Sequence, residues 1–319
     1  MAGAPPLGMA IAMAGPVYAA FDRMRRRPAA CQVVTRMRER SGGAHLIWPS
    51  DMSNLSLAGG AAIAAAGFVA GTMNAIVGSG TLVSFPTLLA VGFDKVPANM
   101  ANTIGLTPGS ASAALAQRPE LTGQQVRLRR LLPFSIAGAV CGALLVLVLN
   151  PKVFAKVVPF LILLGVLLVV IQPRMQARLR ARRAASVVPV ASTDREIHSP
   201  ALQGAIFFVG MYGGYFGAGQ GVIMMGVLGS LLDDSLPRLN AAKNVLAGAQ
   251  NGSAAVIFAG YALFRGGNVP WLAGLIIAIA SILGGQLGAR VSRHIKPIVL
   301  RTVIVTVGLV AAGRLLFFS

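Results

Sequence analysis

From Leu55 to Phe318 the chain alternates long apolar runs with short polar interruptions. The runs cover about 55–77, 81–92, 98–117, 131–149 and 153–172, then about 201–217, 220–232, 239–264, 269–289 and 297–318. Most reach or approach the roughly 20 residues that an α-helix needs to cross a bilayer. The second run of each set is shorter, and a glycine cluster separates it from the first. The clusters are Gly78-Ser79-Gly80 and Gly217-Ala218-Gly219-Gln220-Gly221. They belong to two copies of one pattern: Gly71, Gly78 and Gly80 answer to Gly210, Gly217 and Gly219 at one constant offset. After a three-residue insertion, Asn102 answers to Asn244. Asn150-Pro151 predicts a tight turn, because proline ends one helix and suits the first turn of the next. The pattern predicts an all-α polytopic membrane protein with two repeats, glycine-broken helices and about 8–10 membrane segments.

Composition agrees with this and charge adds orientation. The sequence is 55% hydrophobic and 12% charged, with mean hydropathy +0.72. Its 28 Lys and Arg outnumber 9 Asp and Glu, giving +19. In a soluble domain that excess would suggest nucleic acid; here it lies between apolar runs, where it sets topology instead. One basic segment, 118–130 (Arg118, Arg127, Arg129, Arg130), joins the third and fourth runs of the first copy. Another, 290–296 (Arg290, Arg293, Lys296), joins the fourth and fifth runs of the second. With both on the cytoplasmic side, the copies are inverted and both termini lie outside. The parity holds whether each glycine-broken pair spans the membrane or forms a re-entrant hairpin.

The chain divides into a basic arm (1–51), a first transmembrane repeat (52–172), a basic cytoplasmic linker containing RMQARLRARR (173–199) and a second repeat (200–319). The arm reads as a start placed too early, with translation beginning at Met52, as a signal-like anchor, or as a disordered basic arm. An outside N-terminus favours the first reading. The abundance of arginine and alanine suggests a bacterial source and hence the bacterial inner membrane.

No enzyme chemistry is legible. Cys31 lies in the arm and Cys141 in an apolar run, while His45, His198 and His294 all fall outside the runs. No metal-ligand spacing, catalytic triad or GxxxxGK[ST] loop is present, so no cofactor is expected. The breaks carry the functional signal. Irregular backbone at membrane depth survives only where it lines a cavity or ligand site. Helix N-termini beginning near Thr81 and Gly221 offer amide donors and partial positive charge to a small anion. The bland alternative is that these glycines only allow close helix packing.

The candidate substrate-binding residues are Asn74, Gly78, Ser79, Gly80, Asn102, Thr103, Gly217, Gly219, Gln220, Lys243, Asn244 and Asn251. Amides and hydroxyls bind oxyanions without adding charge, though a lone Asn equally makes interhelical hydrogen bonds. Lys243 either neutralises the anion or snorkels to the headgroups, and its place just after Pro237-Arg238 favours snorkelling. Asp94, Asp233 and Asp234 follow the short runs and read as solvated loop residues.

At these residues the chain resembles the sulfite exporter TauE/SafE family. The likeness rests on Asn74-Ala75-Ile76-Val77-Gly78-Ser79-Gly80-Thr81-Leu82-Val83-Ser84-Phe85-Pro86, on Ala98-Asn99-Met100-Ala101-Asn102-Thr103 and on Pro108-Gly109-Ser110. In the second half it rests on Gly213-Gly214-Tyr215-Phe216-Gly217-Ala218-Gly219, Asn240-Ala241-Ala242-Lys243-Asn244 and Asn251-Gly252. Ser79 departs from the glycine triplet usual in that family. The resemblance implies secondary transport, with export the commonly proposed direction, of a small anion such as sulfite or an organosulfonate. The expected partners are that anion and the lipid bilayer, with no nucleic acid; a homo-oligomer is compatible. The competing reading is a non-transporting scaffold or binding subunit, which has no need of paired broken helices.

Overall fold

The computed structural model describes residues 55–185, 199–291 and 297–317. Residues 1–54, 186–198, 292–296 and 318–319 lie outside the described residues, as do the expectations that fall on them. Eleven helices fill the described part: α1 (Leu57–Ile76), α2 (Thr81–Val91), α3 (Lys95–Ala116), α4 (Arg118–Leu121), α5 (Gln125–Val148), α6 (Pro151–Ala185), α7 (Pro200–Tyr215), α8 (Gln220–Leu231), α9 (Leu236–Arg265), α10 (Trp271–Val291) and α11 (Pro297–Phe317). Apart from the single turn α4, each half supplies five segments in the same order. By length and composition α1, α5, α10 and Pro151–Leu179 of α6 suffice to cross a membrane. Among the rest, α2, α8 and Ile304–Leu316 of α11 are apolar but short. In α3 and α9 the asparagines and Lys243 dilute the apolar content.

Each glycine-broken pair is a re-entrant hairpin. Ser56 caps α1, its hydroxyl accepting the Gly59 amide at 3.0 Å. A Cβ added to Gly59 would lie 3.3 Å from Val91, so α2 ends where α1 begins. At the other end Gly80 lies directly against the Ala70 carbonyl. The chain therefore enters, reverses at the break and leaves on the same side. Next, α3 crosses and meets α9 antiparallel: Gln117 at the end of α3 bonds Asn240 and Asn244 at the start of α9, while Ser110 bonds Asn251 further along. The second hairpin thus starts from the opposite end of the bundle, and the repeats are inverted.

The halves are interleaved through glycine. A Cβ on Gly138 of α5 would collide with the Phe207 carbonyl of α7, and one on Gly142 with that of Met211. The same collisions recur between α10 and α1, from Gly284 to Phe68 and from Gly288 to Thr72. Each half thus lends its fourth segment to the other half's hairpin. With no side chain between them, the backbones approach closely enough for dispersion and carbonyl contacts to hold helices that lipid would otherwise solvate equally well. On the far face of α10, Leu275, Ile279, Leu283 and Leu287 are exposed at four-residue spacing, as lipid-facing residues would be.

Two boundaries differ from the sequence reading. Segment 118–130 is not a loop, since α5 begins at Gln125 and takes Arg127, Arg129 and Arg130 into its first turns. Likewise α6 continues through residue 185, well into the basic linker. α6 outruns the apolar window most, its 35 residues measuring about 52 Å against a hydrocarbon core of about 30 Å. Leu179 on this extension is 4% exposed and packs on Gly229 of α8.

The seams make a prediction. Gly142→Val forces α5 from α7 and is expected to cost roughly 1–3 kcal/mol, the usual range for overpacking. Gly260→Ala, which has open space at its Cβ position, is expected to leave stability unchanged or slightly raised. Thermal unfolding of the two detergent-purified variants checks this; equal midpoints would contradict the interleaved seam.

Candidate functional site

The site forms where the two hairpin tips meet. Gly78 has φ +82°, and Gly217 and Gly219 have +75° and +74°, a region open to glycine and strained for other residues. These angles turn the chain after α1 and after α7. The tips touch backbone to backbone: the Gly221 amide donates to the Gly78 carbonyl at 3.0 Å, and a Cβ on either residue would strike the Cα of the other. Among the described residues, the amides of Ser79, Thr81, Ala218 and Gly219 meet no acceptor. The Ser79 hydroxyl, fully buried, also has no partner.

A polar network ties the tips to the third segment of each half. Asn74, on the last turn of α1, accepts the Gly80 amide at 3.3 Å through Oδ1 and donates through Nδ2 to Ser110 of α3 at 3.2 Å. Ser110 also accepts from Asn251 of α9 at 3.3 Å, and Asn251 Oδ1 accepts from Gln220 Nε2 at 3.3 Å. Lys243 of α9 closes the network, its Nζ donating to the Asn74 carbonyl at 3.2 Å.

This placement overturns the snorkelling reading of Lys243. The side chain is 1% exposed and turns inward to the end of α1. The carbonyls of a helix C-terminus carry partial negative charge and lack intrahelical donors, which gives the ammonium a better partner than the headgroups. That single hydrogen bond is its only one among the described residues, and no carboxylate pairs with it. A buried ammonium held only by dipoles is costly to keep, and an anion beside it removes much of that cost.

The other candidates divide. Asn102 joins α2 to α3, accepting the Ser84 hydroxyl and donating to Thr81 Oγ1 at 3.4 Å. Asn244 caps α1 instead of facing the break, with Nδ2 on the Ala75 carbonyl at 3.3 Å and on Gln117 Oε1 at 2.9 Å. Thr103 bonds back to the Asn99 carbonyl of its own helix at 2.9 Å and takes no part in the network.

Ser110, a buried hydroxyl of α3, is the hub between Asn74 and Asn251. Sequence reasoning missed one feature. Asp234 is no solvated loop residue: its side chain is 7% exposed and pairs with Arg127 at 2.9 Å and Arg238 at 2.9 Å. Arg127 is itself 4% exposed. This pair joins the start of α5 to the start of α9 and so bridges the halves at one end of the bundle. The i, i+4 spacing of Asp234 and Arg238 was the available signal. Toward the opposite end, a cavity of about 800 Å³ is lined by Phe93, Asp94, Lys95, Met100, Lys152 and Tyr261 among others. Its lining comes from the starts of α3 and α6, the end of α5 and the segment before α10, at the end of the bundle away from the ion pair.

Comparison with known proteins identifies the family. Residues 63–315 match the model of the family described as sulfite exporter TauE/SafE. A probable membrane transporter protein of Haemophilus influenzae is 29% identical over 255 residues, covering 79% of this chain and 92% of that one. The probable membrane transporter protein YfcA of Escherichia coli K12 is 26% identical over 253 residues, covering 79% and 87%. A probable membrane transporter protein ORF9 of a Sinorhizobium species is 28% identical over 254 residues, covering 79% and 90%. No solved structure matches the chain. With nearly all of both inverted repeats inside the matched region, this multi-pass membrane protein belongs to the sulfite exporter TauE/SafE family of transporters.

Proposed function

We propose that the chain is a secondary transporter that exports a small oxyanion of the sulfite or organosulfonate class through the inner membrane of a bacterium. The observation that carries this reading is the buried Lys243 ammonium, unpaired with any carboxylate, beside two hairpin tips where the amides of Ser79, Thr81, Ala218 and Gly219 meet no acceptor. A tetrahedral or pyramidal oxyanion takes several hydrogen bonds at once. The amides of Ser79, Thr81, Ala218 and Gly219, with the Ser79 hydroxyl, are of the type and number to supply them. Lys243 supplies the one formal charge.

Transport requires the tips to part. The Gly221–Gly78 hydrogen bond closes the path between the repeats, and the Arg127–Asp234–Arg238 cluster closes one end of it. The anion replaces the tip-to-tip bond with its own acceptors, so the cost of opening the backbone contact is offset by binding. Because the repeats are inverted, the same exchange serves either face. The names of the relatives carry no substrate, so the oxyanion class rests on the site chemistry and on the family description.

Two experiments test this. In vesicles holding the purified protein, labelled sulfite or sulfoacetate is expected to move down its gradient while chloride does not. Lys243→Met is expected to lower that flux on the order of 100-fold, the scale of leaving a buried charge partner unmet. No flux of sulfite, sulfoacetate or thiosulfate, or full flux in Lys243→Met, would overturn the reading. Gly78→Ala places a Cβ against Gly221 at positive φ and is expected to abolish flux while the protein still elutes as a folded species. Unchanged flux would mean the tip contact plays no part in transport.

A further inference from the structure

Where α7 ends, three oxygens in the buried second break have no donor. Gln220 and Gln250 are 3% and 0% exposed. Each turns its Nε2 to a protein acceptor, Asn251 Oδ1 at 3.3 Å and Ser135 Oγ at 2.8 Å. With the nitrogens so engaged, both Oε1 atoms are left without a partner. They face the same spot, the bare flank of Gly213: a Cβ there would overlap Gln220 Oε1 and lie 3.0 Å from Gln250 Oε1. The third oxygen is the Gly213 carbonyl. The Gly217 amide, which would close a helical turn onto it, bonds to the Tyr212 carbonyl at 3.0 Å instead.

The repeat relation says what chemistry belongs there. The offset that pairs Gly71, Gly78 and Gly80 with Gly210, Gly217 and Gly219 pairs Asn74 with Gly213. The offset that pairs Asn102 with Asn244 pairs Ala101 with Lys243. In the first half the Asn74 carbonyl is capped by the Lys243 ammonium. In the second half the matching carbonyl is Gly213, and the residue matching the lysine is alanine. The first helix end therefore carries a built-in cation, while its mate carries three unpartnered oxygens. Donors near the second end are turned elsewhere: Asn99 Nδ2 to the Tyr215 carbonyl at 3.1 Å, and the Tyr212 hydroxyl to the Ala218 carbonyl at 2.5 Å.

We infer that the end of α7 binds one dehydrated monovalent metal cation, sodium or potassium, held by Gln220 Oε1, Gln250 Oε1 and the Gly213 carbonyl. Half-helix C-termini and unwound carbonyls are suited to such ions because the helix dipole places negative charge there. The donor set fixes the valence. All three oxygens are formally neutral, whereas divalent hard cations draw on carboxylates. No group of three or more His, Cys, Asp or Glu occurs among the described residues. A cation here would offset the charge of an anion at the tips, making the coupled cycle cation-dependent. The site itself stands on the oxygens and the repeat relation, independently of which anion is carried.

The test is thermal unfolding of the purified full chain in detergent, without oxyanion, in sodium, potassium or choline chloride at matched ionic strength. Sodium or potassium is expected to raise the midpoint saturably over choline. Gln250→Leu and Gln220→Leu are expected to weaken that dependence at least tenfold. Gln250→Glu keeps the shape and adds charge, and is expected to tighten cation binding severalfold even if the leucine variants do not fold. Identical midpoints in all three salts, or an unchanged cation affinity in Gln250→Glu, would overturn the assignment. Lys243→Met is expected to retain the cation dependence, which separates failure of this site from failure of the anion site.

Discussion

A peptide group in the middle of a bilayer has no water to turn to, and the contact between Gly221 and Gly78 answers that constraint. One amide of the second break is satisfied by one carbonyl of the first at 3.0 Å. Such a bond between two chain reversals can form only where neither residue has a side chain, since a Cβ on either would strike the other's Cα. The positive φ at Gly78, Gly217 and Gly219 is the conformational side of the same requirement. Amides that the contact leaves over are the donors available to an anion. The polar residues of α3 and α9 sit where the remaining carbonyls of the broken helices need partners.

The tips are held by the rest of the bundle through the interleaved fourth segments. Because α5 packs on α7 and α10 on α1 through glycine, each hairpin is gripped by the opposite repeat. Displacing one tip therefore moves helices of both halves, which is the kind of bistable coupling an alternating cycle needs. The Arg127–Asp234 pair, buried and flanked by the partly exposed Arg238, adds a second link between the halves at one end. The two broken ends differ in charge: α1 meets the ammonium of Lys243, and α7 meets only uncharged donors. That asymmetry is what separates the proposed anion site from the proposed cation site.

Much of this was legible in the sequence because the constraint acts on residue types. The glycine clusters, their repetition at one offset and the opposite placement of basic segments pointed to inverted, broken helices. Asn74, Gln220, Lys243 and Asn251 do come together in one network. What escaped was three-dimensional pairing. Lys243 read as a snorkelling residue because the chain just before it is polar, and nothing local reveals that the end of α1 lies within reach. Asp234 read as solvated because its partner Arg127 is more than a hundred residues away. The start of α5 and the end of α6 are not legible in hydropathy, which marks where lipid stops, while hydrogen bonding continues the helix beyond it.

The central claim is that two tips inserted from opposite sides meet in the middle and must part for transport. Disulfide trapping tests it most directly, with Ser79→Cys and Val222→Cys combined in a chain whose Cys31 and Cys141 are replaced by serine. Oxidation is expected to join the two tips, stop oxyanion flux, and be reversed by reductant. Failure to cross-link, or flux that continues at full rate through the cross-linked protein, would contradict the account.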